Sequence, residues 1–206
     1  MEDMMDKKFE YIVFDLGGVM VELAAYEKMM EWMEHKITLE EFNKKWLLSN
    51  AVRSFESGKI TPSEFANAII EEFNLPVSEE EFIKGFMNFI KGFYDGMEDL
   101  LKKLSQNYTL ACLSNTSELH WSKLCSEYDI ESMIKHNFLS YKTGLNKPDK
   151  EAFLNVIRAL GTEPDKILYF DDNQINVDAA RQVGMEAYRV CGCEEVCRVL
   201  EELKII

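Results

Sequence analysis

The stretch Tyr11-Ile12-Val13-Phe14-Asp15-Leu16-Gly17-Gly18-Val19 breaks an apolar run with one carboxylate and follows it with two glycines. Apolar residues without strict alternation suit a strand covered on both faces, as in a parallel sheet, and such sheets bind ligands at the carboxyl ends of their strands. Gly17 and Gly18 let the backbone turn tightly over whatever Asp15 touches. Taken alone, an Asp at a strand end is equally a turn former or a helix cap.

The same pattern recurs downstream. Residues 108–113 read as a second strand that runs into Ser114, Asn115 and Thr116, and residues 167–170 as a fourth that runs into Asp171 and Asp172. A weak third strand is predicted at residues 137–140 and a fifth at 186–190, with helices between the strands. In a parallel sheet the ends of these strands share one edge. Lys147, in Gly144-Leu145-Asn146-Lys147-Pro148-Asp149, is read as held just before a helix that Pro148 starts and Gly161 stops.

Residues 22–95 have a different character. Met29, Trp32 and Met33 fall on one helical face. Thr38 with Glu41, Thr61 with Pro62 and Glu64, and Ser78 with Glu81 are capping-box starts. They stand ahead of the apolar stripes Phe42 and Trp46, then Phe65, Ile69 and Phe73, then Phe82, Phe86, Phe89, Ile90 and Phe93. The expected fold is therefore α/β, a Rossmann-like parallel sheet core over residues 1–21 and 96–206 with an inserted small all-helical cap domain over residues 22–95.

A chain of 206 residues, 47% hydrophobic, buries a full core. Its net charge of −14 excludes nucleic acid and anionic membranes as natural partners and favours a divalent cation. The first nine residues are charged and lack the apolar centre of a signal peptide, and no apolar run is long enough to span a bilayer, so the expected location is cytoplasmic. Five cysteines at irregular spacing suit free thiols, and Cys191, Cys193 and Cys197 lack a paired CxxC for zinc. His35, His120 and His136 stand apart from the strand ends and read as solvated or structural.

Asp15, Asp171 and Asp172 brought together would repel one another without a cation between them, and hard oxygen ligands suit Mg2+. Lys147 adds an ammonium and Ser114 a hydroxyl, so the set is complementary to a phosphoryl group, with Asp15 as the nucleophile. Singly, Ser114 also suits a helix cap, Lys147 a solvated charge and Asp172 an N-cap.

With these motifs in order, the sequence resembles the haloacid dehalogenase-like superfamily over nearly its whole length: Phe14-Asp15-Leu16-Gly17-Gly18-Val19, Leu113-Ser114-Asn115-Thr116, Lys147-Pro148-Asp149 and Phe170-Asp171-Asp172-Asn173. The resemblance implies a nucleophilic Asp15, substrate contacts from Gly18, Ser114, Asn115 and Lys147, and Mg2+ held by Asp15, the Gly17 carbonyl, Asp171 and Asp172. Of the acidic pair, Asp172 is expected to bind directly and Asp171 through water. The helical insert looks like the small cap of the family's first subclass.

One position departs from the family. Phosphatases of this kind usually carry a second Asp where this chain has Gly17, and it serves as general acid and base. The Asp-Leu-Gly form is similar to a branch containing α-glucose-1-phosphate phosphatase and to the phosphatase domain of soluble epoxide hydrolases. Glu22 is a candidate for the missing role. The implied function is Mg2+-dependent hydrolysis of a small phosphorylated substrate, a sugar phosphate, through an aspartyl phosphate, by a chain acting as monomer or homodimer. The alternatives are a metal-free 2-haloacid dehalogenase and a phosphate-binding regulatory module that has lost catalysis along with the second Asp.

Overall fold

The computed structural model describes residues 8–34 and 37–206, so residues 1–7 of the segment read for targeting, and His35, lie outside the described residues. Seven strands form among them: β1 (Tyr11–Phe14), β2 (Val21–Leu23), β3 (Ile90–Phe93), β4 (Thr109–Ser114), β5 (His136–Leu139), β6 (Ile167–Asp171) and β7 (Glu186–Arg189). Five of them make a parallel sheet in the order β5-β4-β1-β6-β7, with β1 at its centre. The chain winds outward from β1 through β4 and β5, then crosses to β6 on the other side. The strand order therefore reverses at β1, and the crevice at its carboxyl end is where such sheets bind ligands. Phe14 pairs with Cys112 and with Phe170, which sets Asp15 level with Asp171 and one position short of Ser114.

Residues between β2 and β3 form helices α1 (Ala25–Trp32), α2 (Leu39–Leu48), α3 (Asn50–Glu56), α4 (Pro62–Phe73) and α5 (Glu79–Met87). All three expected capping boxes are present, with each Thr or Ser side chain accepting from the Glu backbone and each Glu carboxylate returning to the cap residue's N–H. Such a cap stabilises a helix start by about 1 kcal/mol. The apolar stripes meet in a cluster of their own that includes Met29, Phe42, Phe55, Phe65, Ile69, Phe82 and Phe86. Phe55 stacks on Phe65 with centroids 4.2 Å apart.

The helical reading of the last stripe is corrected at its end. Ile90–Phe93 is strand β3, paired antiparallel with β2 in a two-stranded ribbon between the helices and the sheet. Gly92, at φ 131°, adopts backbone no helix contains. Phe93 accordingly leaves the cap cluster and packs against the sheet's core.

The core helices are α6 (Met97–Ser105), α7 (Glu118–Tyr128), α8 (Ile130–Met133), α9 (Ser140–Thr143), α10 (Lys150–Leu160), α11 (Gln174–Gln182) and α12 (Gly192–Glu202). Alternate residues of β1 serve the two faces of the sheet: Ile12 and Phe14 pack with Leu101, Leu124 and Val196, while Val13 packs with Phe153, Val156 and Val177. Helix α10 begins at Lys150 rather than at Pro148. Asp149 is its N-cap residue but makes no side-chain cap bond, and its carboxylate pairs with Arg53 of α3 at 2.6 Å. The cysteines are free thiols. No helix among the described residues is long and apolar enough to cross a membrane.

Candidate active site

Asp15 follows β1, and its backbone N–H donates to the Phe170 carbonyl at 2.8 Å, which continues the sheet ladder one residue past the strand. Its Oδ1 lies 2.9 Å from Lys147 Nζ and accepts the Leu16 N–H at 2.7 Å. Oδ2 has no donor among the described residues. Lys147 Nζ also lies 2.7 Å from Asp171 Oδ2. Burial disfavours the Lys147 charge, but Asp15 and Asp171 together outweigh it and hold the ammonium above its ordinary range.

Asp171, at the last position of β6, is completely buried. Both of its oxygens are occupied: Lys147 Nζ and the Tyr169 hydroxyl donate to Oδ2, the Asn173 N–H donates to Oδ1, and Asn176 Nδ2 lies within 3.1 Å of both. Asp171 thus anchors the lysine. Asp172 is more open. Burial raises its carboxyl, and neighbouring Asp171 raises it further. Arg189 donates to the Asp172 carbonyl at 3.0 Å and fixes its backbone.

Ser114 ends β4 and is buried, yet its hydroxyl makes only a long bond of 3.5 Å to the Asn115 carbonyl. The Asn115 side chain is held by protein partners. Its Nδ2 donates to the Lys147 carbonyl at 2.9 Å and its Oδ1 accepts the Lys147 N–H at 2.8 Å, so its side chain positions the lysine. Gly18 is held through its backbone. Its N–H donates to the Val21 carbonyl and its own carbonyl accepts the Gly192 N–H, both at 2.9 Å. What Gly18 gives the site is space, because at φ 76° a Cβ there would stand 2.5 Å from Asp172 Oδ2. The Gly17 carbonyl takes no part in these turn bonds.

Asp15, Asp171 and Asp172 each offer an oxygen within 4.8 Å of the others. Three carboxylates face one ammonium, and the imbalance appears at Asp15: burial raises its carboxyl, Lys147 lowers it, and Asp171 and Asp172 raise it again, leaving it at about 7. A hard divalent cation with oxygen ligands relieves that strain, so the donor set fits Mg2+.

Next to the residues that follow Asp15 and to Ser114 lies a cavity of about 110 Å³ lined from the core by Gly17, Ser114, Asn115 and His120 and from the cap by Trp46, Glu56, Phe86 and Phe89. Glu56 escaped the sequence reading, and His120, read there as solvated or structural, lines the cavity. His120 lies in the first turn of α7, the helix that leaves the Ser114 strand end, and that placement was the available signal. Its Nε2 lies 2.8 Å from the Phe86 carbonyl, and burial pushes its pKa down to about 4. Glu56 ends α3 and gave no signal, since its position depends on how the cap docks. Glu22 is not among the lining residues; its carboxylate is about half exposed and pairs with Lys91 at 2.8 Å across the ribbon.

Comparison with known proteins agrees with this geometry. Residues 9–184 match the family described as haloacid dehalogenase-like hydrolase. D-ribitol-5-phosphate phosphatase of Bacteroides thetaiotaomicron is 25% identical over 187 residues, 86% of this chain and 90% of that protein. Flavin mononucleotide hydrolase 1 of Arabidopsis thaliana is 27% identical over 155 residues, 73% of this chain and 61% of that protein. A crystal structure of a haloacid dehalogenase family enzyme from Bacteroides thetaiotaomicron, in complex with magnesium and inorganic phosphate, superposes with a TM-score of 0.78 at 28% identity, covering 93% of this chain and 98% of that one.

Proposed function

Because the chain belongs to the haloacid dehalogenase-like hydrolases, we propose that it is a Mg2+-dependent phosphoric monoester hydrolase, acting on a small phosphorylated metabolite through an aspartyl phosphate on Asp15. The observation that supports this most strongly is the meeting of Asp15, Ser114, Lys147, Asp171 and Asp172 at one rim of the sheet, with Lys147 within 2.9 Å of two carboxylates. Asp15, the Gly17 carbonyl, Asp171 and Asp172 would hold Mg2+, which would supply the positive charge that lets an anionic nucleophile approach an anionic phosphoryl group.

The chain's own residues do the rest. Lys147 and the Ser114 hydroxyl meet phosphoryl oxygens whose charge grows as the ester bond breaks. Asp15 Oδ2, the oxygen without a protein donor, attacks phosphorus, while the bonds to Oδ1 from Lys147 and Leu16 fix the carboxylate's orientation. Residues 22–95 form the cap, and residues 1–21 and 96–206 the catalytic core. The cap limits the water that reaches the covalent intermediate.

A sugar or polyol phosphate fits as the substrate. Trp46, Phe86 and Phe89 offer apolar faces for its C–H groups, and the Bacteroides relative is named for ribitol 5-phosphate. The acidic cluster weighs against metal-free dehalogenation, which gains nothing from extra carboxylates beside its nucleophile. A panel of sugar phosphates, nucleotides and p-nitrophenyl phosphate, assayed in Mg2+ and in EDTA, tests the proposal. Turnover that needs Mg2+ and is lost in Asp15→Asn is expected; turnover indifferent to either change overturns it.

A further inference from the structure

Gly17 leaves the first motif without a proton donor for the leaving oxygen, and the structure shows what fills the space. A Cβ at Gly17 would stand 2.7 Å from Leu23 Cδ1, so the ribbon's side chain occupies the place of a residue there. Two titratable side chains line the cavity, His120 and Glu56. His120 is a poor donor, because burial keeps it neutral and its Nε2 is bonded to the Phe86 carbonyl.

Glu56 is differently placed. Its carboxylate has no hydrogen-bond or ion-pair partner among the described residues, and the charges that act on it are Lys147 and Asp15. Its helix is fastened to the core on both sides of it. Arg53 pairs with Asp149, two residues after Lys147, and Gly58 packs so closely on Tyr141 that a Cβ would stand 2.6 Å from its carbonyl oxygen.

We propose that Glu56 is the acid–base group of this site, delivered by the cap in place of the missing second Asp. As the bond from Asp15 Oδ2 to phosphorus forms and the ester P–O bond breaks, the Glu56 carboxyl gives its proton to the leaving oxygen. The resulting carboxylate then takes a proton from the water whose oxygen attacks the aspartyl phosphate. The P–O bond to Asp15 breaks, inorganic phosphate leaves, and both acids return to their starting forms. Burial, eased by Lys147 and reinforced by Asp15, brings the Glu56 carboxyl to about 7, where both forms are populated at neutral pH.

This assignment rests on the phosphatase reading, and the test separates the two. Glu56→Gln is assayed in Mg2+ with p-nitrophenyl phosphate, whose leaving group needs no proton, and with ribitol 5-phosphate and glycerol 3-phosphate, whose leaving groups do. The variant should lose about 10²- to 10⁴-fold in kcat on the alkyl esters with little change in KM. On p-nitrophenyl phosphate it should release one equivalent of nitrophenol per enzyme in a burst, then turn over slowly as phosphoenzyme accumulates. Glu56→Asp, which keeps the acid, should retain more alkyl-ester turnover than Glu56→Gln, and both should melt as cooperatively as the wild type. Wild-type kcat in Glu56→Gln, an equal loss on all esters without a burst, or a change in KM alone overturns the assignment. A wild type that hydrolyses no phosphate ester in Mg2+ overturns the phosphatase reading, and this assignment with it.

Discussion

Lys147 Nζ lies 2.7 Å from Asp171 Oδ2, with the two side chains 2% and 0% exposed. Removing one partner of such a pair strands the other charge in a medium that solvates it poorly. Asp171→Asn should therefore destabilise the protein by about 3 kcal/mol, even though Asp15 remains beside the lysine. Urea unfolding, compared with wild type at the same pH, measures it.

Burial raises both the Asp15 and Glu56 carboxyls to about 7, each opposed by Lys147. Their folded values exceed the ordinary 3.8 and 4.5, so the fold binds protons more tightly than the unfolded chain between those values and about 7. In EDTA the stability contributed by these two groups should fall as pH rises from about 4 to 7 and level off above, with His120, lowered from 6.5 to about 4, opposing part of that loss. Asp15→Asn/Glu56→Gln removes both groups. Its melting temperature should exceed the wild type's at pH 8, with the gap closing toward pH 4, as thermal melts across that range will show.

Gly18→Ala combines a left-handed backbone position with a Cβ only 2.5 Å from Asp172 Oδ2. Asp172 must move, and disturbing the groups that orient a metal ligand typically costs 10- to 100-fold in affinity, so a weakening of about that size is expected for Mg2+. Calorimetric titration with Mg2+ gives the number, and a melt in EDTA separates it from a change in the fold.

Phe65 sits at the centre of the cap, 2% exposed, stacked on Phe55 and in edge contact with Phe82 and Phe86. Phe65→Ala should cost about 3–5 kcal/mol. Because the cap cluster is separate from the two clusters on the sheet, limited proteolysis should cut within the cap before the core.

The strand ends were legible because the chemistry stands next to the apolar run that positions it: Asp15, Ser114, Asp171 and Asp172 each follow or finish a strand. Parallel pairing then brings them to one edge whatever the lengths between. The capping boxes were legible for the same local reason. The ribbon was not, since Phe82, Phe86, Phe89, Ile90 and Phe93 keep a helical spacing while Ile90–Phe93 pairs with a strand almost seventy residues earlier. Asn115 and Gly18 sit in the right motifs, but their bonding partners, Lys147, Val21 and Gly192, come from the tertiary fold. Glu56 reaches the cavity through the docking of the cap, where Arg53 pairs with Asp149 and Gly58 packs on Tyr141, contacts that no local pattern announces.

The two strands of the ribbon run side by side, so the chain leaves the sheet and comes back to it at neighbouring points. Everything between is a detour that the sheet's winding does not register. Such a detour can be lengthened, rebuilt or exchanged for another by recombination while Asp15, Lys147, Asp171 and Asp172 stay where they are. Proteins that share this rim can thus diverge in what they accept without relearning how to cleave it.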